Sequence, residues 1–158
     1  AAVLYDSKLL ELDEKAKIEP KKLFEVEVRR LGSLIEVVPA EEVAKDAERV
    51  LLKYGALTEE TALQIKLRER LITSLFNAKR YGDAIQSIDD LSQMDPANSR
   101  LPEFEFLRGK ALVKLGRENE ARAAFTKLAQ ATVGEVWKKS AQAELNELQW
   151  ENEVKREQ

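Results

Sequence analysis

Cysteine and histidine are both absent from this chain of 158 residues. Their absence excludes disulfides, thiolate nucleophiles, zinc sites of the Cys/His kind and the commonest general base. A chain without cysteine fits a reducing cytoplasm and a bacterial periplasm or envelope equally, so the compartment stays open. Breakers are scarce, with 6 glycines and 4 prolines, which leaves long stretches free to run as helix. β-Branched and aromatic residues never cluster with period-two alternation, so no strand is expected. Apolar runs span a few residues, far short of the roughly 20 that cross a bilayer, and no basic–apolar–small leader pattern occurs. Direct membrane insertion is therefore not expected. Charge of one sign is lacking too. The formal net charge is −3, and Lys and Arg alternate with Asp and Glu instead of forming the basic stripe that displaces counterions, so no nucleic-acid partner is expected.

The search for chemistry finds equally little. No Gly-rich phosphate loop, nucleophilic serine motif or acidic calcium loop is present. Three adjacent carboxylate pairs stand out: Glu41-Glu42, Glu59-Glu60 and Asp89-Asp90. The first two sit where helices begin, where acids favour the dipole, and the third sits late on a face expected to be exposed, so ordinary solvated roles account for all three. Neither an enzyme nor a cofactor or metal site is expected.

What the chain has is helix-forming material: 44% hydrophobic and 35% charged residues, with Ala, Leu, Glu, Lys and Arg dominant. Its punctuation is clear. Pro20 suits a first helical turn, Pro39 ends that segment, and Gly55 follows Tyr54 as a cap. Thr58 precedes Glu59-Glu60 as a hydroxyl cap. Lys79 to Gly82 makes a corner, residues 94–98 a break, and Gly116 and Gly134 the last two stops. These signals predict helices near 2–14, 20–38, 40–54, 58–78, 82–94, 101–115, 117–131 and 135–154. Connections of a few residues make successive helices antiparallel neighbours. The opening Ala1-Ala2-Val3-Leu4-Tyr5 has no Met and already reads as helix, so the chain reads as a piece of a larger protein.

Self-similarity distinguishes stacked hairpins from a simple bundle. Gly32 precedes Ala44, Ile72 precedes Ala84 and Gly109 precedes Ala121, each by twelve residues. Three residues after each first anchor stand Ile35, Leu75 and Leu112. Four after the alanines come Glu48, Ile88 and Phe125, and seven after them Leu51, Leu91 and Leu128. A small residue on one helix would let its partner's alanine approach while a large neighbour fills the gap. One such pair cannot hide its apolar face, so stacked pairs share a core.

These residues resemble the tetratricopeptide repeat family. The clearest unit is Leu107-Arg108-Gly109-Lys110-Ala111-Leu112 with Leu115-Gly116-Arg117, Ala121 and Phe125; next comes Leu71-Ile72 with Leu75, Tyr81-Gly82-Asp83-Ala84, Ile88 and Met94-Asp95-Pro96. The likeness is concentrated over about 65–131. The repeat alanines Ala2, Ala44, Ala84 and Ala121 are 42, 40 and 37 apart, longer than the family's roughly 34. Val28, Arg68 and Glu105 stand where the family has an early tryptophan, and Glu48 replaces an aromatic. The resemblance implies an all-α fold, antiparallel hairpins stacked as a short right-handed α-solenoid. It divides one repeat domain over 1–158 into a half-repeat (1–19), hairpins over 20–57, 58–98 and 99–133, and a capping helix (134–158).

The resemblance also implies a function: a scaffold or adaptor whose concave groove, lined by the first helix of each pair, takes a peptide or helix of a protein partner. Carried onto this sequence, the groove would include Arg29, Ser33, Glu36, Glu69, Thr73, Phe76, Asn77, Phe106, Lys110, Val113 and Lys114. Phe76 and Phe106 would be apolar anchors, and Lys110 and Lys114 would meet an acidic group. The competing reading packs both phenylalanines between helices. The basic clamp with which some members grip an acidic tail is not reproduced, because Ser33, Glu69 and Glu103 interrupt it.

The last helix carries two stripes. Trp137, Ala141, Leu145 and Leu148 form one; Val136, Ala143, Trp150 and Val154 form the other. An end cap needs one apolar face only. The expectation is a wrapped cap with Trp150 lying flat on the preceding hairpin. The alternative puts Trp150 against a partner or another copy, making the chain a structural module that assembles through its terminal helices, with a homo-oligomer formed by the C-terminal helix as one outcome.

Overall fold

The structure is a computed structural model and describes Lys8, residues 18–132 and residues 134–156. Seven α-helices are delineated among the described residues, and no strand is found there. The expected helix near 2–14, with Ala2, lies outside the described residues except for Lys8, which is helical. The chain divides into two compact units, Ala1–Arg80 and Tyr81–Gln158. Within each, helices pack mainly on their neighbours in sequence.

The first unit holds α1 (Pro20–Leu34), α2 (Ala40–Tyr54) and α3 (Thr61–Asn77). Pro20 starts α1, where its missing N–H loses no hydrogen bond. Helix α1 stops at Leu34, four residues before the expected end at 38. Pro39 disfavours the helical conformation at Val38, and the chain closes instead through Val37 N and Val38 N, both donating to the Leu34 carbonyl. Helix α3 starts at Thr61, three residues later than expected. Thr58 does not cap it: its carbonyl, not its hydroxyl, is engaged, accepting from Thr61 Oγ1 at 3.4 Å. The core of this unit takes Phe24, Val28 and Leu31 from α1, Val43, Ala44, Ala47 and Val50 from α2, and Leu67, Ile72 and Leu75 from α3. Phe24 stacks on Tyr54 with ring centroids 5.0 Å apart.

One charge is buried between α1 and α2. The Glu27 carboxylate accepts from Arg49 Nη2 at 3.0 and 3.1 Å and lies 3.5 Å from Arg30 Nε, while Asp46 bridges the two arginines from α2. A buried carboxylate persists only when its lone pairs are met in this way. Glu48, standing where the repeat pattern has an aromatic, takes a two-pronged pair with Arg80 at 3.0 and 2.7 Å. The departure from the pattern is thus an ion pair in place of a ring. At the end of α3 the left-handed residue is Lys79, with φ 62°, and Arg80 N donates to the Leu75 carbonyl across it. Gly82, inside the expected corner, is instead in the first turn of the next helix.

The second unit holds α4 (Tyr81–Met94), α5 (Leu101–Lys114), α6 (Glu118–Gln130) and α7 (Glu135–Arg156). Gly116, at φ 71°, closes α5 as expected, with Arg117 N donating to the Leu112 carbonyl. Leu112, Ala121, Phe125, Leu128, Ala141 and Leu148 form the core, with Ile85, Phe106 and Trp137 packed around it. Asp89, read as exposed, is half-buried and pairs with Arg108 of α5.

The repeat register places most anchors inside. Ala44, Ala84, Ala121, Ile72, Leu75, Leu112, Ile88, Phe125, Leu91 and Leu128 are all buried, whereas Leu51 is half-buried beside a buried Val50. The small residues work differently from the expectation. A Cβ on Gly109 would meet the Phe125 ring at 2.3–2.8 Å, and one on Gly32 would meet the Arg70 guanidinium at 2.6 Å. Each glycine makes room for a large side chain and not for a partner's alanine.

Candidate functional site

The residues assigned to the groove fall in both units. In the second, Phe106 turns inward, 5.7 Å from the Phe125 ring and 5.8 Å from the Trp137 ring, so its face is taken up by packing between helices. Lys110 Nζ donates to Glu144 Oε1 of α7 at 2.8 Å, and that carboxylate is the less exposed of the two side chains. Both the expected anchor and the expected cation thus have partners inside the unit, where α7 lies against α5. Val113 is half-buried against the same core, and Lys114 is exposed at the last position of α5.

In the first unit, Phe76 is half-buried and Asn77 is exposed at the end of α3. Thr73 Oγ1 donates to the Glu69 carbonyl at 3.1 Å, a bond within the helix. Arg29 and Glu36 are exposed, and Ser33 is half-buried. The acidic pairs have ordinary partners: Glu41 with Lys45 at 3.5 Å and Glu60 with Lys21 at 3.1 Å. Hydrogen bonding to Glu60 raises the Lys21 pKa above its ordinary value.

Helix α7 separates its two stripes as their spacing predicts. Ala141 and Leu148 are buried, with Trp137 and Leu145 packed beside them. Most of the second stripe faces water: Trp150 is 67% exposed and Val136 69%, Ala143 is exposed, and Val154 is half-buried. This overturns the wrapped cap with a flat-lying Trp150. The reason is visible on the inner side of α7. Arg122 Nη2 donates to the Leu148 carbonyl, and Asn152 Nδ2 donates to Glu118 Oε1 at 3.0 Å. These contacts fix the helix rotation with Leu148 and Asn152 toward α6, and Trp150, two residues from each, must point away. The hydrogen bond from Arg122, helped by that from Asn152 against some desolvation, holds the Glu118 carboxyl below its ordinary pKa.

A second feature was not found in the sequence. Between α1 and α3 lies a cleft of about 380 Å³ lined by Glu25, Val28, Arg29, Leu63, Lys66 and Arg70. The residues follow helical spacing on both walls. Arg70 is half-buried, and its Nη1 is buried with no hydrogen-bond partner. Burial lowers its pKa below the ordinary arginine value, and the nearby Glu69 carboxylate opposes that shift. The readable signal was Gly32. A glycine in a helix interior marks a close approach, and here the approaching group is the Arg70 guanidinium.

Among the described residues, no cluster of three or more acidic side chains could hold a metal ion, and no helix is long and apolar enough to cross a membrane. Compared with known proteins, the chain matches no protein-family model, no curated protein and no solved structure.

Proposed function

We propose that this chain is a protein–protein interaction scaffold of the tetratricopeptide-like kind that makes its principal contact through the outer face of α7. The observation that carries this reading is the exposure of Trp150 together with Val136 on one side of a 22-residue helix whose other side places Ala141 and Leu148 in the core. Large exposed aromatics are uncommon on solvated surfaces and common at interface centres, where a Trp ring supplies much apolar area at low rotamer entropy. The reading of repeated helical hairpins is supported by the burial of Ala44, Ala84 and Ala121 at similar positions early in their helices, and the right-handed solenoid is proposed with it on the resemblance alone.

The reading shifts weight from the groove to the terminal helix. Phe106 and Lys110 are occupied within the second unit, which leaves Arg29, Glu36, Asn77 and Lys114 as the exposed members of the expected groove set. Light scattering on the parent chain and Trp150→Ala, followed by capture from a lysate with both, tests the α7 contact. The proposal requires a complex, with a second copy or another protein, that the parent forms and Trp150→Ala loses while remaining folded. Identical behaviour of the two chains in both assays ends it.

A further inference from the structure

Arg30, whose Nε is buried without a hydrogen bond, is ion-paired with Asp46 and Glu27, and half-buried Arg80 takes Glu48 at 2.7 Å. Arg70 departs from this. Among the described residues no carboxylate is hydrogen-bonded or ion-paired to it, and its Nη1 is both buried and without an acceptor. A buried donor left unmade costs free energy, more so on a charged group, and such an orphan in a folded chain calls for an explanation.

The seat of the guanidinium is built for it. Nη2 and Cζ lie where a side chain on Gly32 would be, 2.6 and 2.7 Å from an added Cβ. A side chain there would force the flexible end of Arg70 to move aside. Gly32 lies in the last turn of α1, whose carbonyl end favours a cation without giving Nη1 an acceptor. The cleft in front of it combines two chemistries. Arg29, Lys66 and Arg70 outnumber the single acid, Glu25, while Val28 and Leu63 give an apolar wall. At about 380 Å³ the space exceeds a lone ion and suits an anionic head on a short aliphatic stem.

We propose that the cleft between α1 and α3 is a binding site for a carboxylate, received by Arg70 with Lys66 and Arg29 adding positive potential, as presented by a glutamate or aspartate side chain of a bound protein segment or by a free dicarboxylate. Nη1 itself is closed to solvent, so a carboxylate meets Arg70 through the part of the side chain that lines the cleft, where a guanidinium donates in a geometry a lysine cannot reproduce. The site is separate from α7, so either assignment stands if the other fails.

The test uses the full chain labelled with ¹⁵N and follows the arginine Nε–Hε signals. The probes are glutarate, a capped tetraglutamate peptide and phosphate, against chloride at matched ionic strength. The expected result is a saturable shift of the Arg70 signal with glutarate and an affinity, read in parent and variants alike from the backbone amide shifts of α1 and α3, that is weakened roughly 10- to 100-fold in Arg70→Met, the loss that goes with a charge-assisted pair. Gly32→Ala, which unseats the guanidinium, should weaken it as well. Tighter binding of the peptide than of glutarate assigns the carboxylate to a protein segment; the reverse order assigns it to a free acid. Arg70→Met should also fold at least as stably as the parent in low salt without probe, because it removes a part-buried charge that has no hydrogen-bonded counter-charge. If that variant does not fold, Arg70→Lys keeps the charge and must still weaken glutarate. A shift no larger than with chloride overturns the proposal, as does a preference for phosphate over both carboxylates or equal binding by every variant.

Discussion

Replacing Gly109 by alanine should destabilise the second unit even though it improves the local helix. In a solvated helix interior the change is favourable by about 1 kcal/mol. At Gly109 the new Cβ would lie 2.3, 2.6 and 2.8 Å from three atoms of the Phe125 ring, whereas carbon atoms in contact settle at about 3.5–4.0 Å. The ring must therefore retreat by roughly an ångström. It has little room, since Phe125 is fully buried and abuts Phe106, which abuts Trp137 in turn. Overpacking of this kind costs about 1–3 kcal/mol, and displacing a chain of three rings belongs at the upper end. Offsetting the helix gain leaves a net loss of about 2 kcal/mol. Urea unfolding followed by tryptophan emission reads this directly, because Trp137 and Trp150, the chain's 2 tryptophans, are both in α7. Gly82→Ala is the control: its Cβ meets nothing within 4 Å, so at this first-turn position it should stabilise slightly, by less than the interior gain of about 1 kcal/mol. Shortening the ring in Gly109→Ala/Phe125→Leu should recover part of the loss, a coupling of about 1 kcal/mol or more between the two positions. Should Gly109→Ala prove as stable as Gly82→Ala, the close packing of α5 on α6 at this point is wrong.

Three further expectations follow from single groups. Tyr54→Phe should leave stability unchanged or raise it by up to about 1 kcal/mol, because the Tyr54 hydroxyl is buried without a partner while its ring stacks on Phe24; a clear loss in thermal unfolding would mean the hydroxyl is bonded. Lys79→Gly should stabilise by about 1 kcal/mol, since Lys79 holds φ 62° at the end of α3, a conformation that disfavours any residue with a Cβ; destabilisation in urea would contradict that turn. The third concerns acid. The Glu118 carboxyl is held below its ordinary pKa by Arg122 and Asn152, so its contribution is present above the ordinary carboxylate range and is lost as the pH falls through that range toward the depressed value. Glu118→Gln should flatten the acid side of the stability curve, and a curve of unchanged shape would show that the pair does not form in solution.

How much of this was legible beforehand depends on the range over which each feature is encoded. Helix limits are written locally. Pro20 and Gly116 marked boundaries correctly, as Pro39 did for the start of α2 though not for the end of α1, because fixed φ, a missing N–H or freedom at positive φ acts within a turn. The two misjudged starts and stops have equally local causes: Pro39 acts back on Val38, and Thr58 lies three residues before the true start of α3. The 3.6-residue period likewise placed Ala84, Ala121 and Leu148 inside and separated the two faces of α7. Even so, the period could not say whether the second face of α7 would be covered. That turned on Arg122 and Asn152 reaching across to fix the helix rotation.

The candidate surfaces were less legible, because they depend on which side chains meet over long sequence separations. Lys110 reads as a free cation until Glu144 arrives from α7, and Phe106 reads as an anchor until Trp137 lies beside it. Arg70 shows the converse: nothing in its neighbourhood in the chain distinguishes it from Arg68, whose guanidinium is met by Gln64 at 2.9 Å. Only the docking of α3 on Gly32 strips it of water while giving it no acid. The sequence by itself therefore determined that this chain is helical, where its turns fall and which residues face inward, since those follow from backbone preference and periodicity over a few residues. Tertiary structure alone decided which charges are satisfied and which apolar groups stay exposed, since pairing and desolvation are properties of two surfaces brought together.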